Sequence, residues 1–225
     1  SYNEALNAFH KTIHDSFRLY LLNLYCIAKV CSFAAEDARL RQGKHIKTEE
    51  DKIFTDKIYS NPLIQSIEKN AYLQERFKKE KCAEGLDEDL FRKIYKDFCK
   101  EKTYIDYLQK ESTHEDHVEI LLELYRFCRR NELFNEIMDD RFTGWSDDKS
   151  LVIGALKKTL KALPDASAFY EEYIPDDETV IHFGKYLFDN TYKMEADLME
   201  LIKPVLENWD SERVALIDMI LIKMG

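Results

Sequence analysis

The first forty residues have the spacing of apolar and polar positions that is typical of an amphipathic helix. Apolar side chains recur at steps of three and four residues, which places them on one face of a helix. They are Leu6, Phe9, Ile13, Phe17, Tyr20, Leu24, Ile27 and Cys31. The pattern predicts one long helix over residues 3–40 that ends near Gly43.

Cap signals predict further helices along the rest of the chain. Asn61 before Pro62 predicts a helix start, because asparagine caps free backbone N–H groups and proline suits the first helical position. This second helix is expected to run towards Lys81. Ser112 with Glu115 has the spacing of a capping box and predicts another start. The remaining predicted helices follow Asp87, Asn131, Ser146 or Asp147, Asp176 or Asp177, and Ser211.

Composition agrees with helices throughout. Gly (6) and Pro (4) are scarce, which disfavours folds with many turns. No segment has the pattern of a strand. We predict an all-α fold of packed helical bundles, with roughly eight to ten helices and no sheet. An amino-terminal helical region is expected over residues 1–110 and a second over residues 111–225.

Two tryptophans stand before similar segments. Trp145 precedes Ser-Asp-Asp-Lys and Trp209 precedes Asp-Ser-Glu-Arg, and an apolar helix is predicted after each. The similarity has two interpretations, an internal duplication or the general likeness of capped helices. Both remain open at this stage.

The apolar stretches are too short to predict a membrane span. The longest, Leu19 to Cys31, is interrupted by Asn23 and Lys29, whereas a span needs roughly 18 to 20 apolar residues. The start, Ser1-Tyr2-Asn3-Glu4, lacks the pattern of a signal peptide and is expected to be the cut end of a longer protein. We expect a cytoplasmic protein without a membrane partner.

The five cysteines favour the same compartment. Their number is odd, no Cys-x-x-Cys spacing occurs, and most stand where a helix would bury a small apolar side chain. They are Cys26, Cys31, Cys82, Cys99 and Cys128. We predict reduced thiols in the core, as in cytosolic proteins.

Histidines and carboxylates suggest two metal sites, and both are incomplete. His10 and His14 lie four apart on one helix face, but no third ligand stands nearby. Glu111 and His114 have the Glu-x-x-His form of di-iron bundles, which need a second such pair and two more glutamates. The six glycines form no phosphate loop, and no nucleophile motif is present. We therefore expect no metal, no cofactor, no small-molecule substrate and no catalytic centre.

Acidic residues outnumber basic ones, 43 to 33, and the net charge of −10 repels phosphate. RNA contacts would have to be local. Basic residues gather at Arg76-Phe77-Lys78-Lys79, at Arg126 to Arg130, and at Lys157, Lys158 and Lys161. These clusters could touch phosphate, or they could be cations placed at helix carboxyl ends, where the helix dipole favours them. We expect the second role.

The carboxyl-terminal segment carries a family pattern. Phe183 begins Phe-Gly-Lys-Tyr-Leu-Phe-Asp-Asn-Thr-Tyr, a polar helix then leads to a segment around Pro204, and Trp209 is followed by Glu212, Arg213 and an apolar helix. Residues 178–225 resemble NusB, the transcription antitermination factor, over about a fifth of the chain. The remaining part resembles enlarged bacterial forms with a long amino-terminal helical insertion.

The resemblance implies a non-enzymatic factor in transcription antitermination and ribosomal RNA operon expression. It implies that a small-subunit ribosomal protein, NusE, is the partner and that the pair acts on boxA RNA. Glu212 and Arg213 are the implied partner contacts, and Trp209 is implied to be a packing residue. Which residues would contact RNA is unknown.

Two departures from the family bear on RNA binding. The family's Arg-rich amino-terminal segment has no counterpart at Ser1 to Ala8, and the chain stops at Gly225, before the family's last helices. We expect truncation at both ends and weak boxA binding by this chain alone.

Two other hypotheses compete with the antitermination role. A helical protein-interaction scaffold would keep the fold without RNA binding. A metal-dependent enzyme would use His10 and His14 or the pair Glu111 and His114, and a metal analysis would decide it.

Overall fold

The chain folds into helices, as the sequence predicts. The computed structural model describes residues 2–165, 169–175, 177–206 and 216–224. Within these ranges no strand occurs, which confirms the all-α class. The helices are more numerous than the eight to ten predicted, because several predicted helices are each divided in two and short ones fill the connections.

Thirteen α-helices run along the described residues. The first seven are α1 (Tyr2–Gln42), α2 (Glu49–Ile53), α3 (Lys57–Ser60), α4 (Pro62–Lys69), α5 (Ala71–Lys79), α6 (Glu88–Phe98) and α7 (Lys102–Gln109). The others are α8 (His114–Arg130), α9 (Glu132–Arg141), α10 (Trp145–Ala162), α11 (Gly184–Lys193), α12 (Glu195–Ile202) and α13 (Leu216–Met224). Short 3₁₀ turns lie at Glu171–Tyr173 and Lys203–Val205, and a π-helix at Asp177–Phe183 leads into α11.

Cap residues explain where the helices begin. The Asn61 side chain accepts hydrogen bonds from the backbone N–H groups of Leu63 and Ile64, as predicted. The helix expected to continue to Lys81 is divided because Asn70 ends α4 and caps α5. Each cap satisfies N–H groups that have no partner inside the helix.

Two predicted starts are wrong by one or more residues. The capping box of α8 is Thr113 with Asp116, one residue later than the predicted pair Ser112 and Glu115. The Asp116 carboxylate accepts from the Thr113 backbone N–H at 2.8 Å, a reach that the shorter aspartate side chain also permits. Helix α10 begins at Trp145, so the predicted caps Ser146 and Asp147 lie inside it.

The chain divides into two compact units. The smaller consists of Ser1–His14 with Pro175–Gly225, and the larger is Asp15–Ile174. Helix α1 contributes residues to both. The boundary expected at residue 110 falls inside the larger unit, where α6 and α7 both pack against α8. The segment 178–225 lies wholly within the smaller unit.

The larger unit is built around the apolar part of α1. Phe91, Phe134 and Trp145 are among the largest fully buried side chains packed with it. Trp145 is 1% exposed, its indole N–H donates to Asn135 Oδ1 at 3.3 Å, and the Lys149 ammonium lies 5.2 Å from the ring centroid. These contacts fix the start of α10.

A polar group lies at the centre of this core. Asn23 on α1 is fully buried, and its Oδ1 accepts a hydrogen bond of 2.9 Å from the Tyr125 hydroxyl on α8. Its Nδ2 donates to the Leu19 carbonyl at 2.8 Å and contacts Met138 Sδ at 3.6 Å. Buried amides need such partners, so this network sets the register of α1 against α8 and α9.

Helix α1 is also long and apolar enough to cross a membrane, judged by length and composition only. Of its most apolar window, 78% is buried inside the protein. The central helix of a folded core satisfies the same criteria, so the finding is weak evidence for a span.

Candidate functional site

The smaller unit joins the first turns of α1 to α11. The Phe9 ring stacks on Phe188 with centroids 5.6 Å apart, and the Tyr2 hydroxyl donates to the Asp189 carboxylate. At Gly184 a Cβ would lie 2.9 Å from Phe9 Cζ, closer than real Cβ contacts allow. Glycine at this position therefore permits the close approach of the Phe9 ring to α11.

Helices α11, α12 and α13 pack on one another and leave many apolar side chains in solvent. Ten of the fifteen large apolar side chains that are exposed in the described chain belong to the smaller unit. They are Phe183, Tyr186, Tyr192, Met194, Leu201, Val205, Ile220, Leu221, Ile222 and Met224. We call this set the apolar surface. Concentrations of this kind mark interaction sites, because water disfavours a large exposed apolar area.

The apolar surface was not predicted from the sequence, although one signal was available. Residues Met219 to Ile222 are apolar without interruption, and only Met219 is buried. A helix that is apolar on all sides needs neighbours on all sides. In α13 the side chains of Leu221 and Ile222 remain 62% and 44% exposed. The described neighbours of this helix therefore do not cover all of its sides.

Ion pairs connect described residues of the smaller unit. Lys223 on α13 donates to Glu195 on α12 at 2.8 Å, and Lys185 donates to Asp189 at 2.6 Å along α11. The hydrogen bonds from these lysines lower the pKa of both carboxyl groups. The first pair links α12 to α13, and the second, four residues apart on one helix, supports the helical conformation of α11.

The partner contacts implied by the family resemblance cannot be placed in this geometry. Glu212 and Arg213, together with Trp209, lie outside the described residues. They fall between Leu206 and Leu216, in the stretch that connects the Pro204 turn with α13.

The histidine and carboxylate pairs considered as metal ligands are not completed. Among the described residues no group of three His, Cys, Asp or Glu side chains could hold a metal ion. The His10 ring packs edge-on against Phe9 with centroids 5.4 Å apart. Glu111 precedes α8 and is exposed, while His114 Nε2 lies 3.3 Å from the Lys161 carbonyl oxygen.

The basic clusters lie mostly at helix ends, as predicted. Arg76, Lys78 and Lys79 occupy the last turn of α5, Arg129 and Arg130 that of α8, and Lys161 that of α10. Several members of these clusters also have acidic neighbours. Arg126 pairs with Glu123, and Lys158 lies 3.9 Å from Glu172. Helix dipoles and local carboxylates thus account for most of these cations.

The cysteine thiols are free, and all except the half-buried Cys99 are fully buried. Burial raises the pKa of Cys82 and Cys128 to about 12 and that of Cys99 to about 11. Protonated thiols are poor nucleophiles and poor metal ligands. The prediction of core thiols is confirmed for these positions.

A titratable cluster joins α3, α7 and α8. The Lys57 ammonium donates to the Tyr107 carbonyl at 2.5 Å and lies 4.4 Å from the Tyr107 ring centroid. The Tyr107 hydroxyl is 2.9 Å from His117 Nδ1. Burial and the Lys57 charge lower the pKa of His117, although Asp116 opposes the shift.

This cluster predicts a dependence of stability on pH. The pKa of His117 is lower in the folded than in the unfolded chain, so the folded state binds fewer protons at mildly acidic pH. The contribution of His117 to stability is therefore present above its unfolded pKa and is lost as pH falls from there through its folded pKa. We expect the urea midpoint to drop slightly between neutral and mildly acidic pH, and to drop less in His117→Gln. Equal drops in both proteins would contradict this, and His45→Gln in an exposed segment serves as the control.

Comparison with known proteins adds no relative to this description. No family model, no curated protein and no solved structure matches the chain.

Proposed function

We propose that this chain is a NusB-type binding factor. In this proposal the smaller unit docks the small-subunit ribosomal protein NusE, and the pair acts on boxA RNA in transcription antitermination and ribosomal RNA operon expression. The proposal assigns no reaction to the chain itself.

The apolar surface on α11, α12 and α13 is the observation that supports the proposal most. It lies in the same stretch, residues 178–225, whose sequence resembles the family. A concentration of exposed apolar side chains in one unit is typical of protein interfaces. The ion pairs of Lys185 with Asp189 and of Lys223 with Glu195 provide polar groups in the same unit.

The charge of the chain bears on RNA. A net charge of −10 disfavours approach to phosphate, and most clustered cations already serve helix ends or carboxylates. We therefore propose that the chain alone binds boxA weakly and that the ribosomal protein supplies much of the RNA affinity. Tight, salt-sensitive boxA binding by the chain alone would contradict this.

Binding of the ribosomal protein should depend on the apolar surface. We expect Leu221→Asp with Val205→Asp to weaken it by about thirtyfold or more, because burying an unpaired carboxylate costs at least about 2 kcal/mol. Isothermal titration with purified ribosomal protein, with and without boxA RNA, measures the effect. Leu151→Asp is the matched control, since Leu151 is equally exposed but lies in the larger unit.

The outcomes separate the two candidate functions. Loss in the double variant with retention in the control supports docking on the apolar surface, and Glu212→Ala with Arg213→Ala should then weaken binding further. If the chain binds the ribosomal protein and boxA RNA does not change the affinity, the scaffold hypothesis is favoured. No binding of the ribosomal protein by the unaltered chain contradicts the proposal.

A further inference from the structure

A groove in the larger unit lies between the end of α1, the short helix α2 and α6. It encloses about 360 Å³, within the size range of small-molecule sites. Phe33 and Leu40 of α1 and Phe54 after α2 form apolar walls, and Tyr95 and Cys99 line the α6 side. The groove lies far along the chain from the apolar surface and shares no residue with it.

Two guanidinium groups lie on aromatic rings in this groove. The Arg92 Cζ is 4.7 Å from the Phe33 ring centroid, and the Arg41 Cζ is 4.8 Å from that of Phe54. Carboxylates hold both arginines, since Glu36 pairs with Arg92 at 2.8 Å and Asp37 pairs with Arg41 at 2.8 Å. A planar cation fixed on an aromatic ring offers a second flat face, on which a nucleobase can stack.

The carboxylates keep hydrogen-bonding capacity. Asp37 uses Oδ2 for both Arg41 and Tyr95, and Glu36 uses Oε2 for Arg92. Their second oxygens have no hydrogen bond within the described part of the chain. A carboxylate oxygen accepts from the amino and imino groups on the edge of a base such as guanine.

Two lysines that could bind a phosphate group line the same groove as these arginines and carboxylates. Lys96 lies one turn after Arg92 on α6, and Lys100 lies in the turn that follows this helix; both line the groove. Lys96 has no carboxylate within 4 Å among the described residues, and Lys100 has only an exposed pair with Asp97 at 2.6 Å. Exposed pairs of this kind contribute little, so both ammonium groups are available to an incoming anion.

The groove thus combines flat stacking faces, carboxylate oxygens without a hydrogen bond to any described residue, and two lysine ammonium groups. An inorganic anion would use only the lysines, and the carboxylates would repel it. A ligand that carries both a hydrogen-bond-donating aromatic ring and a phosphate would use every part. We propose that this groove binds a purine nucleoside monophosphate unit, with its base at Arg41 and Arg92 and its phosphate at Lys96 and Lys100.

The nucleoside monophosphate could be part of an RNA strand or a free nucleotide, and both have this chemistry. The RNA case rests on the proposed function, whereas the free nucleotide does not. Because the groove lies in the larger unit, docking of the ribosomal protein should be unaffected by changes at Lys96 and Lys100. This separates failure of one proposal from failure of the other.

The test is a titration of the full chain with GMP, with inorganic phosphate and with a short single-stranded RNA, each at low and high salt. We expect GMP and RNA to bind more tightly than phosphate. Lys96→Ala with Lys100→Ala should weaken both by about tenfold or more, since charge-assisted hydrogen bonds from the ammonium groups to the phosphate are lost. Lys93→Ala is the matched control, because Lys93 is exposed on α6 and does not line the groove.

Each outcome decides the proposal. RNA that binds more tightly than GMP, with loss in the double variant, identifies a strand as the source, and equal binding of GMP identifies a free nucleotide. Binding of neither overturns the proposal. An equal loss in Lys93→Ala also overturns it, since the effect would then be diffuse attraction between charges.

Discussion

Trp145→Ala will lower the free energy of unfolding of the larger unit by about 4 kcal/mol. Removing a large aromatic side chain from a packed core costs its transfer free energy and leaves a cavity, typically 3–5 kcal/mol in total. Trp145 is 1% exposed, and its loss also leaves the Asn135 side chain without the indole donor. Urea unfolding followed by far-ultraviolet circular dichroism measures the change as a shift in midpoint.

The matched control for this change is Leu151→Ala. Leu151 lies on the same helix, α10, but is 68% exposed, so the expected change is within about 0.5 kcal/mol. A loss below about 1 kcal/mol in Trp145→Ala would show that the start of α10 does not anchor the core.

Tyr125→Phe will destabilise the larger unit by about 1–3 kcal/mol, although it removes a single oxygen atom. The change leaves Asn23 Oδ1 buried without its donor, and an unsatisfied buried acceptor incurs its full desolvation cost. Asn23→Leu should cost a similar amount, because it leaves the Tyr125 hydroxyl without an acceptor. Chemical denaturation of both variants gives the two values.

The double variant provides the decisive comparison for this pair. Asn23→Leu with Tyr125→Phe removes both partners, and replacing both by apolar groups can be nearly neutral. We expect a cost below the sum of the single changes by at least about 1 kcal/mol. Strict additivity would show that the two side chains do not act as a pair, and Tyr72→Phe at an exposed position gives the baseline.

Local signals in the sequence predicted many helix positions. The three- and four-residue spacing placed α1 at residues 3–40, and the structure has Tyr2–Gln42. Asn61 with Pro62 and Asn131 marked real starts. Such signals act within one helical turn, so they can be recognised without knowledge of the fold.

Competing local signals explain the errors. Ser112 and Thr113 are adjacent, and each has an acidic residue three positions later. The prediction took Ser112 with Glu115, whereas the structure caps α8 with Thr113 and Asp116. Asn70 ends one helix and starts the next, a role that apolar spacing across residues 63–77 conceals.

Organisation across long distances in the chain could not be derived in this way. Pairing of the first turns of α1 with α11 depends on Phe9, Gly184 and Phe188, and nothing in their local patterns connects them. The apolar surface was missed for a related reason. Spacing shows which side chains are apolar, but burial depends on which neighbours the fold provides, and Leu221 has too few.

The smaller unit is formed by two stretches that flank the larger unit in the sequence, and this affects the order in which the protein can fold during synthesis. Residues up to Ile174 can complete the larger unit as soon as they leave the ribosome. Phe9 is synthesised before the larger unit and must wait for Gly184 and Phe188, a delay on the order of 10 s at usual elongation rates. Until then the apolar residues of the first three turns lack their partners, and a chaperone that covers short apolar segments would find them accessible.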